Sequence, residues 1–255
     1  MRVAILGSGS EGNAVFLDAQ GTRVLIDAGF SCRDLEARLT GLGVDPASLD
    51  AILLSHEHGD HARGARRFAR RFGCTVAGTP STLRCVGLRS REVRVQPFEG
   101  GQSFRLGGWQ VTPAPVPHDA ADPVAFRLET GEGSLGYAVD LGHATDAVHS
   151  LLYGCDTLIV EANHDPEMLE RGPYPRELKR RLRGPRGHLS NGEAAELIAR
   201  TATDRTRTLV LAHLSGTNNR RDLALWSAHR ALGALARTVR LWVAEQGPEA
   251  AWIAS

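Results

Sequence analysis

The sequence has no long hydrophobic run, and this absence sets the first limits on what the protein can be. None of its 255 residues belongs to a stretch of the roughly 20 apolar residues that a membrane-spanning helix needs. The segment Met1–Ser8 reads as the start of a β-strand and lacks the apolar core of a signal peptide, so we expect a cytoplasmic protein with no membrane association. No linker, repeat or low-complexity segment interrupts the sequence, which favours one domain over residues 1–255.

The chain has few cysteines, a single lysine and a low net charge. The four cysteines are scattered without a CxxC pair, which is typical of reduced core thiols in a cytosolic protein rather than of metal ligands. The formal net charge is only +1, so composition by itself indicates no polyanionic partner. Lys179 is the only lysine, and nearly all positive charge is therefore guanidinium, which suits bidentate contacts to phosphate.

Metal-ligand residues are concentrated in one short run, His56-Glu57-His58-Gly59-Asp60-His61. The run follows the apolar segment 51–54, so it is predicted to be the loop that leaves a buried strand. Three imidazoles and a carboxylate in so short a loop cannot all face one small ion, but they can face two. Imidazoles suit zinc, iron and manganese, and the carboxylate favours the harder, hydrolytic members of that set. Surface histidine tracts are the alternative, but they repeat and lie in termini or linkers, so we interpret this run as a metal site.

Further ligand-type residues follow apolar segments elsewhere in the chain, where strands are predicted to end. They are Asp27, His118, Asp140 and His213. A single histidine at a strand end is more often structural than a ligand, but this many strand ends with the same chemistry are hard to reach by chance. We therefore expect these residues to lie beside the first run, with Asp27 as the hydrogen-bond acceptor of a ligand imidazole.

Apolar periodicity predicts a chain that alternates between strands and helices. Short apolar segments predict β-strands, including a hairpin around residues 131–133. The predicted helices are 32–42, with Ser31 as N-cap, 62–72, a short helix near 81–87, 191–203, with Ser190 and Glu193 as a capping box, and 219–236, with Trp226 in the core.

The histidine run and the strand-end residues together resemble the metallo-β-lactamase fold, and the resemblance covers essentially the whole chain. It implies an α/β protein, a four-layer αββα sandwich with a dinuclear metal site at one edge. It also implies two divalent metal ions per chain, Mn²⁺ or Zn²⁺, with Fe²⁺ as a further candidate. The ligands that it implies are His56, His58 and His118 for one ion, Asp60, His61 and His213 for the other, and Asp140 as the bridge.

The second half of the chain resembles one branch of that fold, the phosphodiesterases that include the tRNA 3′-processing nucleases. The resemblance rests on Glu161, at the end of a predicted strand, and on His188 in the string Gly187–Ser190. It implies that the Glu161–His188 pair assists proton transfer or contacts the scissile phosphate. In the mechanism that follows, we predict that Asp60 orients the attacking hydroxide or accepts its proton, and that His164, which lies next to these motifs in sequence, contacts the substrate.

Four longer strings are similar to those of the YycJ/WalJ group of bacterial nucleases. They are Gly7–Asn13, Glu161–Asp165, Gly187–Asn191 and His213–Asn219. This similarity implies a 5′-to-3′ exonuclease that acts on DNA in repair or mismatch processing, so the expected partner is nucleic acid, DNA rather than RNA. The chain has no room for an additional substrate-clamping domain, such as a β-CASP insert, and must hold a polymer with its own loops and arginines.

Two arginine-rich segments offer the positive charge that such a polymer needs. The first, 62–72, carries arginines at helical spacing directly after the metal run, and the second, 171–186, directly precedes His188. A solvated helix face, or a general use of arginine on every surface, is the alternative for both. Because both segments flank site motifs, we predict that Arg66, Arg67 and Arg70 bind the phosphates of the substrate.

Three other functions remain open at this point. The first is a metal-dependent ribonuclease. The second is a hydrolase of the same fold that acts on a thioester or a small cyclic phosphodiester; it needs no basic groove, so binding to plain DNA at low salt separates it. The third is a binding module with structural metals only, which tolerates gaps in the ligand set, and this sequence shows none. The sequence makes no prediction of the oligomeric state.

Overall fold

Two seven-stranded β-sheets lie face to face in the computed structural model, which describes residues 1–88, 91–247 and 250–254. The first sheet is antiparallel on the side of the chain's first strands and parallel on the other side. Across this sheet the strands are, in order, β14 (Ala251–Ala254), β1 (Arg2–Gly7), β2 (Ala14–Ala19), β3 (Thr22–Ile26), β4 (Ala51–Leu53), β5 (Thr75–Gly78) and β6 (Val95–Pro97).

The second sheet repeats this plan with an antiparallel half and a parallel half. Its strands are, in order, β13 (Arg240–Val243), β12 (Thr208–Ala212), β11 (Thr157–Glu161), β10 (Gly133–Ala138), β9 (Val124–Thr130), β8 (Trp109–Pro115) and β7 (Phe104–Leu106). The antiparallel pairing of β9 with β10 confirms the hairpin predicted around residues 131–133.

Helices cover the outer face of each sheet. Within the described residues they are α1 (Cys32–Gly41), α2 (Gly59–Ala62), α3 (Ala65–Phe72), α4 (Pro80–Cys85), α5 (Asp146–Leu152), α6 (Pro166–Arg171), α7 (Arg176–Leu182), α8 (Asn191–Thr201) and α9 (Arg221–Leu232), with 3₁₀ turns at Pro46–Ser48 and Gly233–Arg237. Helices α1 and α3 pack on the first sheet through Leu35 and Phe68, and α5, α8 and α9 pack on the second. None of these helices has the length and apolarity to cross a membrane.

The largest side chains of the core lie between the two sheets. Trp109, Phe126 and Tyr137 of the second sheet pack there against Leu17 and Ile26 of the first, and all five are almost completely buried. Each sheet therefore buries both faces, one against the other sheet and one against helices, which is the four-layer αββα sandwich that was predicted.

The parallel half of each sheet brings the ends of distant strands together. Strands β3 and β4 are parallel neighbours in the first sheet, and β10, β11 and β12 are parallel neighbours in the second. The carboxyl ends of parallel strands lie at the same edge of a sheet, so residues that follow these strands meet although they are far apart in sequence. The candidate site lies at this edge.

The predicted helix 62–72 is wrong in one respect, because the chain turns between α2 and α3. The backbone N–H of Gly64 donates to the carbonyl of Ala28 at 2.8 Å, and a Cβ at Gly64 would lie 2.2 Å from the carbonyl oxygen of Phe30. Only a glycine allows this approach of α3 to the chain that follows β3. The arginines nevertheless share one exposed face, because most of them lie within α3.

Other sequence-based expectations also need correction. Trp226 was expected in the core, but its side chain is 60% exposed, since α9 buries the face that carries Ala224 and Ala228 instead. The predicted helix 219–236 ends at Leu232, and a 3₁₀ turn follows. Cys85 is exposed, whereas the other three cysteines are buried and unpaired as expected. No helix was predicted at α5, α6 or α7.

Both helix caps that were predicted are present. The Ser31 hydroxyl accepts the backbone N–H of Asp34 at 3.2 Å at the start of α1. At the start of α8, Ser190 and Glu193 form the reciprocal pair of a capping box. The second cap begins two residues after His188 and fixes the direction in which the chain leaves that residue.

Candidate metal centre

Three of the strand-end residues adopt left-handed backbone conformations. Asp27, Asp140 and His213 have φ angles of 61°, 59° and 56°. Asp27 and His213 directly follow β3 and β12, and Asp140 lies two residues after the end of β10. Such conformations are uncommon for residues other than glycine, cost on the order of 1–3 kcal/mol each, and concentrate at functional sites. The backbone is therefore strained at the three positions where the parallel strands deliver an acid or an imidazole.

One cluster of ligand-type side chains contains three histidines and one aspartate. Its members, whose ligand atoms lie within 4.8 Å of one another, are His56, His58, His118 and Asp140. Two of the rings are held through Nδ1: that of His56 lies 3.0 Å from the Ser55 hydroxyl, and that of His118 donates to the Gly187 carbonyl at 3.1 Å. A carbonyl only accepts, so Nε2 of His118 keeps its lone pair for a metal ion.

A second cluster shares Asp140 with the first. Its members are Asp60, His61, Asp140 and His213, again with ligand atoms within 4.8 Å of one another. His61 Nε2 lies 2.8 Å from Asp140 Oδ2, and His213 Nε2 lies 3.3 Å from Asp60 Oδ2. The shared carboxylate stands between two sets of donors, which is the position that a bridging ligand requires.

Asp27 lies behind the second cluster and holds its histidine. Its carboxylate accepts His61 Nδ1–H at 2.8 Å, the Tyr137 hydroxyl at 2.9 Å and the backbone N–H of Ser55 at 2.8 Å. A buried carboxylate that accepts from the ring N–H fixes the tautomer and the orientation of the imidazole. The structure thus places Asp27 where the sequence predicted a supporting acid.

The donor set fits a divalent metal centre. His56 Nε2 is buried and has no hydrogen-bond partner among the described residues, and such unpartnered atoms are rare in protein interiors. This atom belongs to the first cluster, and a metal ion that bound there would satisfy it. Imidazole nitrogens mixed with carboxylate oxygens suit zinc, manganese and iron.

The electrostatics favour the metal-binding protonation states at His56 and Asp140. Burial, together with His61, holds the pKa of His56 well below its ordinary value, so this ring is neutral. Burial would raise the pKa of Asp140, but His213 and His61 hold it well below the ordinary range. Neutral imidazoles and ionised carboxylates are the ligand forms that these metals require. At His61 and His213 burial would lower the pKa, but the neighbouring carboxylates raise it, so these two rings would release a proton when a metal binds.

Glu161 and His188 form a buried pair next to the bridging position. His188 Nδ1 lies 2.7 Å from Glu161 Oε1 and 3.2 Å from Asp140 Oδ1, and Glu161 Oε2 accepts the backbone N–H groups of Leu141 and Leu189. Burial would lower the pKa of His188, but the Glu161 and Asp140 carboxylates raise it to about 11. The imidazole is therefore charged, and its Nε2 is free to act on a substrate.

His164 is close to this pair, but its ring is almost completely buried. Its backbone forms a bridge with Ser190 and accepts the N–H of Asn191, and its Nδ1 has no hydrogen-bond partner. Burial lowers the pKa of His164, against the opposing effect of Glu161. The structure places His164 beneath the surface at the start of α8, rather than as an exposed substrate contact.

The arginines of the first basic segment line one groove of about 700 Å³, which we call the arginine groove. Its lining is Arg63, Arg66, Arg67, Arg70 and Arg71. Arg66 forms an ion pair with Glu92, and Arg71 pairs with Glu36. Arg63, Arg67 and Arg70 form no ion pair with any residue in the described ranges, so three guanidinium groups are available for phosphates.

Several arginines of the second basic segment already contact other groups of the protein. Arg181 pairs with Asp119 and Arg183 pairs with Glu170. The Arg186 guanidinium donates to the carbonyl of His118 at 2.9 Å, which holds the loop of a candidate ligand. These contacts favour a positioning role for this segment over direct binding of a polyanion.

Several buried polar residues of the site were not predicted. Asn13 donates from Nδ2 to the Asp60 carbonyl at 3.3 Å and lies 3.0 Å from His61 Nε2, and Asn163 donates to the His213 carbonyl at 2.9 Å. Both asparagines occur in the sequence strings that resemble the YycJ/WalJ nucleases. The resemblance therefore pointed to these segments, but it did not show which residue in each segment would contact a candidate ligand.

Comparison with known proteins agrees with this geometry. The family profile described as a beta-lactamase superfamily domain matches residues 22–214. Exodeoxyribonuclease WalJ of Streptococcus pneumoniae is 34% identical over 228 residues, which cover 88% of this chain and 85% of that protein. Exodeoxyribonuclease YycJ of Bacillus anthracis is 31% identical over 235 residues, which cover 91% of this chain and 89% of that protein.

A solved structure agrees at the level of the fold. The metallo-β-lactamase fold protein YhfI of Bacillus subtilis superposes with a TM-score of 0.73 and 19% sequence identity, over 96% of this chain and 97% of that one. This likeness supports the architecture of two sheets between layers of helices, independently of any functional comparison.

Proposed function

The chain belongs to the metallo-β-lactamase superfamily and, within it, to the family of the WalJ and YycJ exodeoxyribonucleases, and we propose that it is a metal-dependent exodeoxyribonuclease that degrades DNA from 5′ to 3′. The observation that carries the proposal is the hydrogen-bonded Glu161–His188 pair, which lies against Asp140, the residue common to both ligand clusters. A single domain over residues 1–255 and a cytoplasmic role in DNA repair or mismatch processing are part of the proposal.

Two divalent ions, Mn²⁺ or Zn²⁺ with Fe²⁺ as a further candidate, are the cofactors that we propose. The ligands would be those of the two clusters, with Asp140 common to both. When bound, the ions supply activation of water and charge stabilisation for the phosphate oxygens. Their number and identity are open to direct measurement, by elemental analysis of protein purified without chelators and reloaded with each metal.

Asp60 is proposed to orient the attacking water or to accept its proton. Its carboxylate is part of the second cluster and is partly exposed at the opening of the site. Burial would raise the pKa of Asp60, but the hydrogen bond with His213 lowers it below the ordinary value, so the group is ionised and can accept a hydrogen bond from the attacking water.

His188 is proposed to act on the leaving oxygen of the scissile phosphate. Glu161 holds its Nδ1, so Nε2 is the atom that donates a proton or a hydrogen bond to the substrate. The same charged ring also stabilises negative charge on the phosphate. Both roles require the imidazolium that Glu161 maintains.

The arginine groove is proposed to bind the phosphate backbone. It begins at Arg63, two residues after the candidate ligand His61, and contains three guanidinium groups that form no ion pair with the described residues. Of the predicted contacts, Arg67 and Arg70 keep this role, whereas Arg66 is already paired with Glu92. His164, because it is buried, is proposed to support His188 from behind rather than to bind substrate directly.

One assay tests the function as a whole. The purified protein is incubated with Mn²⁺ or Zn²⁺ and with single-stranded and double-stranded DNA and RNA that carry a label at either end. We expect metal-dependent release of mononucleotides from the 5′ end of DNA. Preferential degradation of RNA would favour the ribonuclease alternative. Activity on thioesters or cyclic phosphodiesters, with none on either polymer, would favour a small-substrate hydrolase of the same fold.

A further inference from the structure

A polar cavity of about 610 Å³ opens beside His213, on the opposite side of the Gly7–Asn13 loop from α1. Its wall includes Ser8, whose hydroxyl accepts the backbone N–H of His213 at 2.9 Å, and residues 214–217, which directly follow His213. None of the candidate metal ligands lines it. We call it the His213-side cavity; its volume lies within the range of about 300–1,000 Å³ that is typical of ligand sites.

The Gly7–Asn13 loop separates this cavity from the arginine groove. Glu11 lines the cavity, whereas Gly12 packs against Phe30, whose carbonyl meets the start of α3 at Gly64. Gln246 holds the loop in place, because its side chain accepts the N–H of Glu11 at 3.1 Å and donates to the carbonyl of Gly12 at 3.3 Å. This loop, whose Asn13 lies 3.0 Å from His61 Nε2, therefore borders the cavity on one side and contacts the chain that leads into α3 on the other.

The two depressions differ sharply in charge. All the described residues that line the arginine groove are arginines, and three of the five form no ion pair with the described residues. The His213-side cavity has the carboxylates of Glu11 and Glu245 against one guanidinium, that of Arg221, which already pairs with Glu245. A phosphate backbone is attracted to the first lining and not to the second.

The remaining lining of the His213-side cavity suits a sugar and a base. Ser10, Ser215 and Thr217 offer hydroxyls, and Tyr174 is the only aromatic side chain among the described residues that line it. Tyr174 is half-buried in the loop between α6 and α7. That loop is packed tightly, since a Cβ at Gly172 would lie 2.3 Å from the Oδ1 of the buried Asn218.

We propose that the His213-side cavity holds the terminal nucleotide of the DNA strand, with its base against Tyr174, while the arginine groove binds the phosphates that follow. The inference rests on the proposed exonuclease function and adds where the end of the strand is held. It explains how the end of a strand is recognised: the cavity accepts one nucleotide, and the scissile phosphate then lies at the metal centre. The released mononucleotide leaves from the same cavity and competes with the next end.

The test compares two substrates on three variants. One DNA strand ends in an intact 5′ nucleotide, and the other ends in a nucleotide without its base. We expect Tyr174→Ala to raise KM for the intact end by about 5- to 100-fold, the loss that follows removal of one aromatic stacking partner, and to leave KM for the baseless end unchanged. Tyr174→Phe should retain wild-type KM. Tyr153→Ala, at an exposed tyrosine next to α5, is the matched control and should have no effect.

Inhibition by dAMP gives a second readout that does not depend on the end of a strand. We expect competitive inhibition of the wild type, weakened in Tyr174→Ala in parallel with the change in KM. Thr217→Trp, a substitution at an exposed position that fills the cavity, should produce the same pattern if Tyr174→Ala folds poorly. An active exonuclease whose KM and dAMP inhibition are unchanged in both variants would overturn the cavity assignment alone.

A wild type that hydrolyses no DNA would overturn the proposed function instead. Calorimetric titration with dAMP then decides the cavity separately. Binding that is lost in Tyr174→Ala would support a nucleotide site, and equal or absent binding in both proteins would overturn it.

Discussion

At the scale of single residues, the site depends on side chains that use one polar atom for support and leave the other for chemistry. His61 gives Nδ1 to Asp27 and directs Nε2 to Asp140, and His188 gives Nδ1 to Glu161. Such support fixes the tautomer and the orientation of each ring before any ligand binds. A substitution that removes the support at Nδ1 should therefore have a different effect on activity from one that removes the whole ring and its Nε2.

Asp140→Asn tests the shared ligand. Asparagine has the same shape and tolerates the φ of 59° at this position, so we expect the fold to persist by circular dichroism. Loss of the negative charge should lower the affinity for Mn²⁺ or Zn²⁺ by more than about 100-fold and abolish hydrolysis, measured by calorimetry and elemental analysis. The control Asp146→Asn, at an exposed carboxylate on α5, should change neither. Full metal occupancy in Asp140→Asn would contradict the assignment.

His188→Ala tests the proton relay. We expect turnover to fall by about 10²- to 10⁴-fold with metal content unchanged, because a positioned acid contributes in that range. Glu161→Gln should reproduce much of the loss, and the double variant should be little worse than His188→Ala, since the two groups act as a unit. His229→Ala, at an exposed histidine on α9, is the control.

A phosphodiester with a good leaving group, such as an aryl ester of a nucleotide, separates the two roles of His188. It should rescue His188→Ala but not Asp140→Asn, because only the first lacks the proton for the leaving oxygen. Failure of the rescue together with weaker substrate binding would make His188 a phosphate-binding residue instead.

At the scale of elements, α3 presents one exposed arginine face and one buried apolar face. Phe68 and Ala69 pack on the first sheet, and the arginines point to solvent beside α1. Two of the five arginines of the groove are neutralised by Glu36 and Glu92, and the structure thus divides a face that looked uniform in sequence. The unpaired ones should dominate the binding of DNA.

Substitution of Arg63, Arg67 and Arg70 by alanine should weaken DNA binding about equally for all sequences. Each lost phosphate contact should reduce the slope of log affinity against log salt by roughly 0.7–0.9, measured by fluorescence anisotropy across a salt series. Arg66→Ala should have a smaller effect, because its guanidinium already pairs with Glu92. Arg230→Ala, on α9 in the opposite outer layer, is the matched control.

An unchanged salt slope in the triple variant would return α3 to an ordinary solvated face. It would leave the metal centre and its chemistry unaffected, because none of these arginines contacts a candidate ligand through an ion pair or hydrogen bond within the described residues. The two proposals are therefore separable by experiment.

At the scale of the whole molecule, the candidate site joins the two sheets. The ligands from residues 56–61 follow strands of the first sheet, and Asp140 and His213 follow strands of the second. Metal ions that bind between them would hold the sheets together in addition to the core around Trp109 and Tyr137. Ligand binding to the native state alone raises its stability by mass action.

Removal of metal should therefore lower the thermal stability. At a free metal concentration about 100 times Kd, binding contributes about 2.7 kcal/mol, which for a chain of this size corresponds to a decrease in Tm of about 5–10 °C after chelation. Differential scanning calorimetry with and without a chelator measures the change. Asp140→Asn should show no such shift, and an equal shift in that variant would indicate that metal stabilises the protein from another site.

The sequence by itself determined the candidate ligand-type residues, and its resemblance to a known family implied the fold class and the division of the ligands between two ions. The candidate residues depend on local patterns, because His56, Asp140 and His213 follow apolar segments that form strands. The carboxyl ends of parallel strands lie at one edge of a sheet, so such residues meet there. The caps of α1 and α8 were predictable for the same reason, because each forms within four residues.

Only the tertiary structure decided the tautomers, the ion pairs of the arginines, the turn at Gly64, the arginine groove and the His213-side cavity. Each depends on contacts between segments that are remote in sequence, such as Asp27 with Tyr137 and Arg66 with Glu92. The exposure of Trp226 has the same origin, because packing against the second sheet decides which face of α9 is buried. Long-range packing leaves no local pattern, so a sequence names the ligand-type residues but not the partners that hold them.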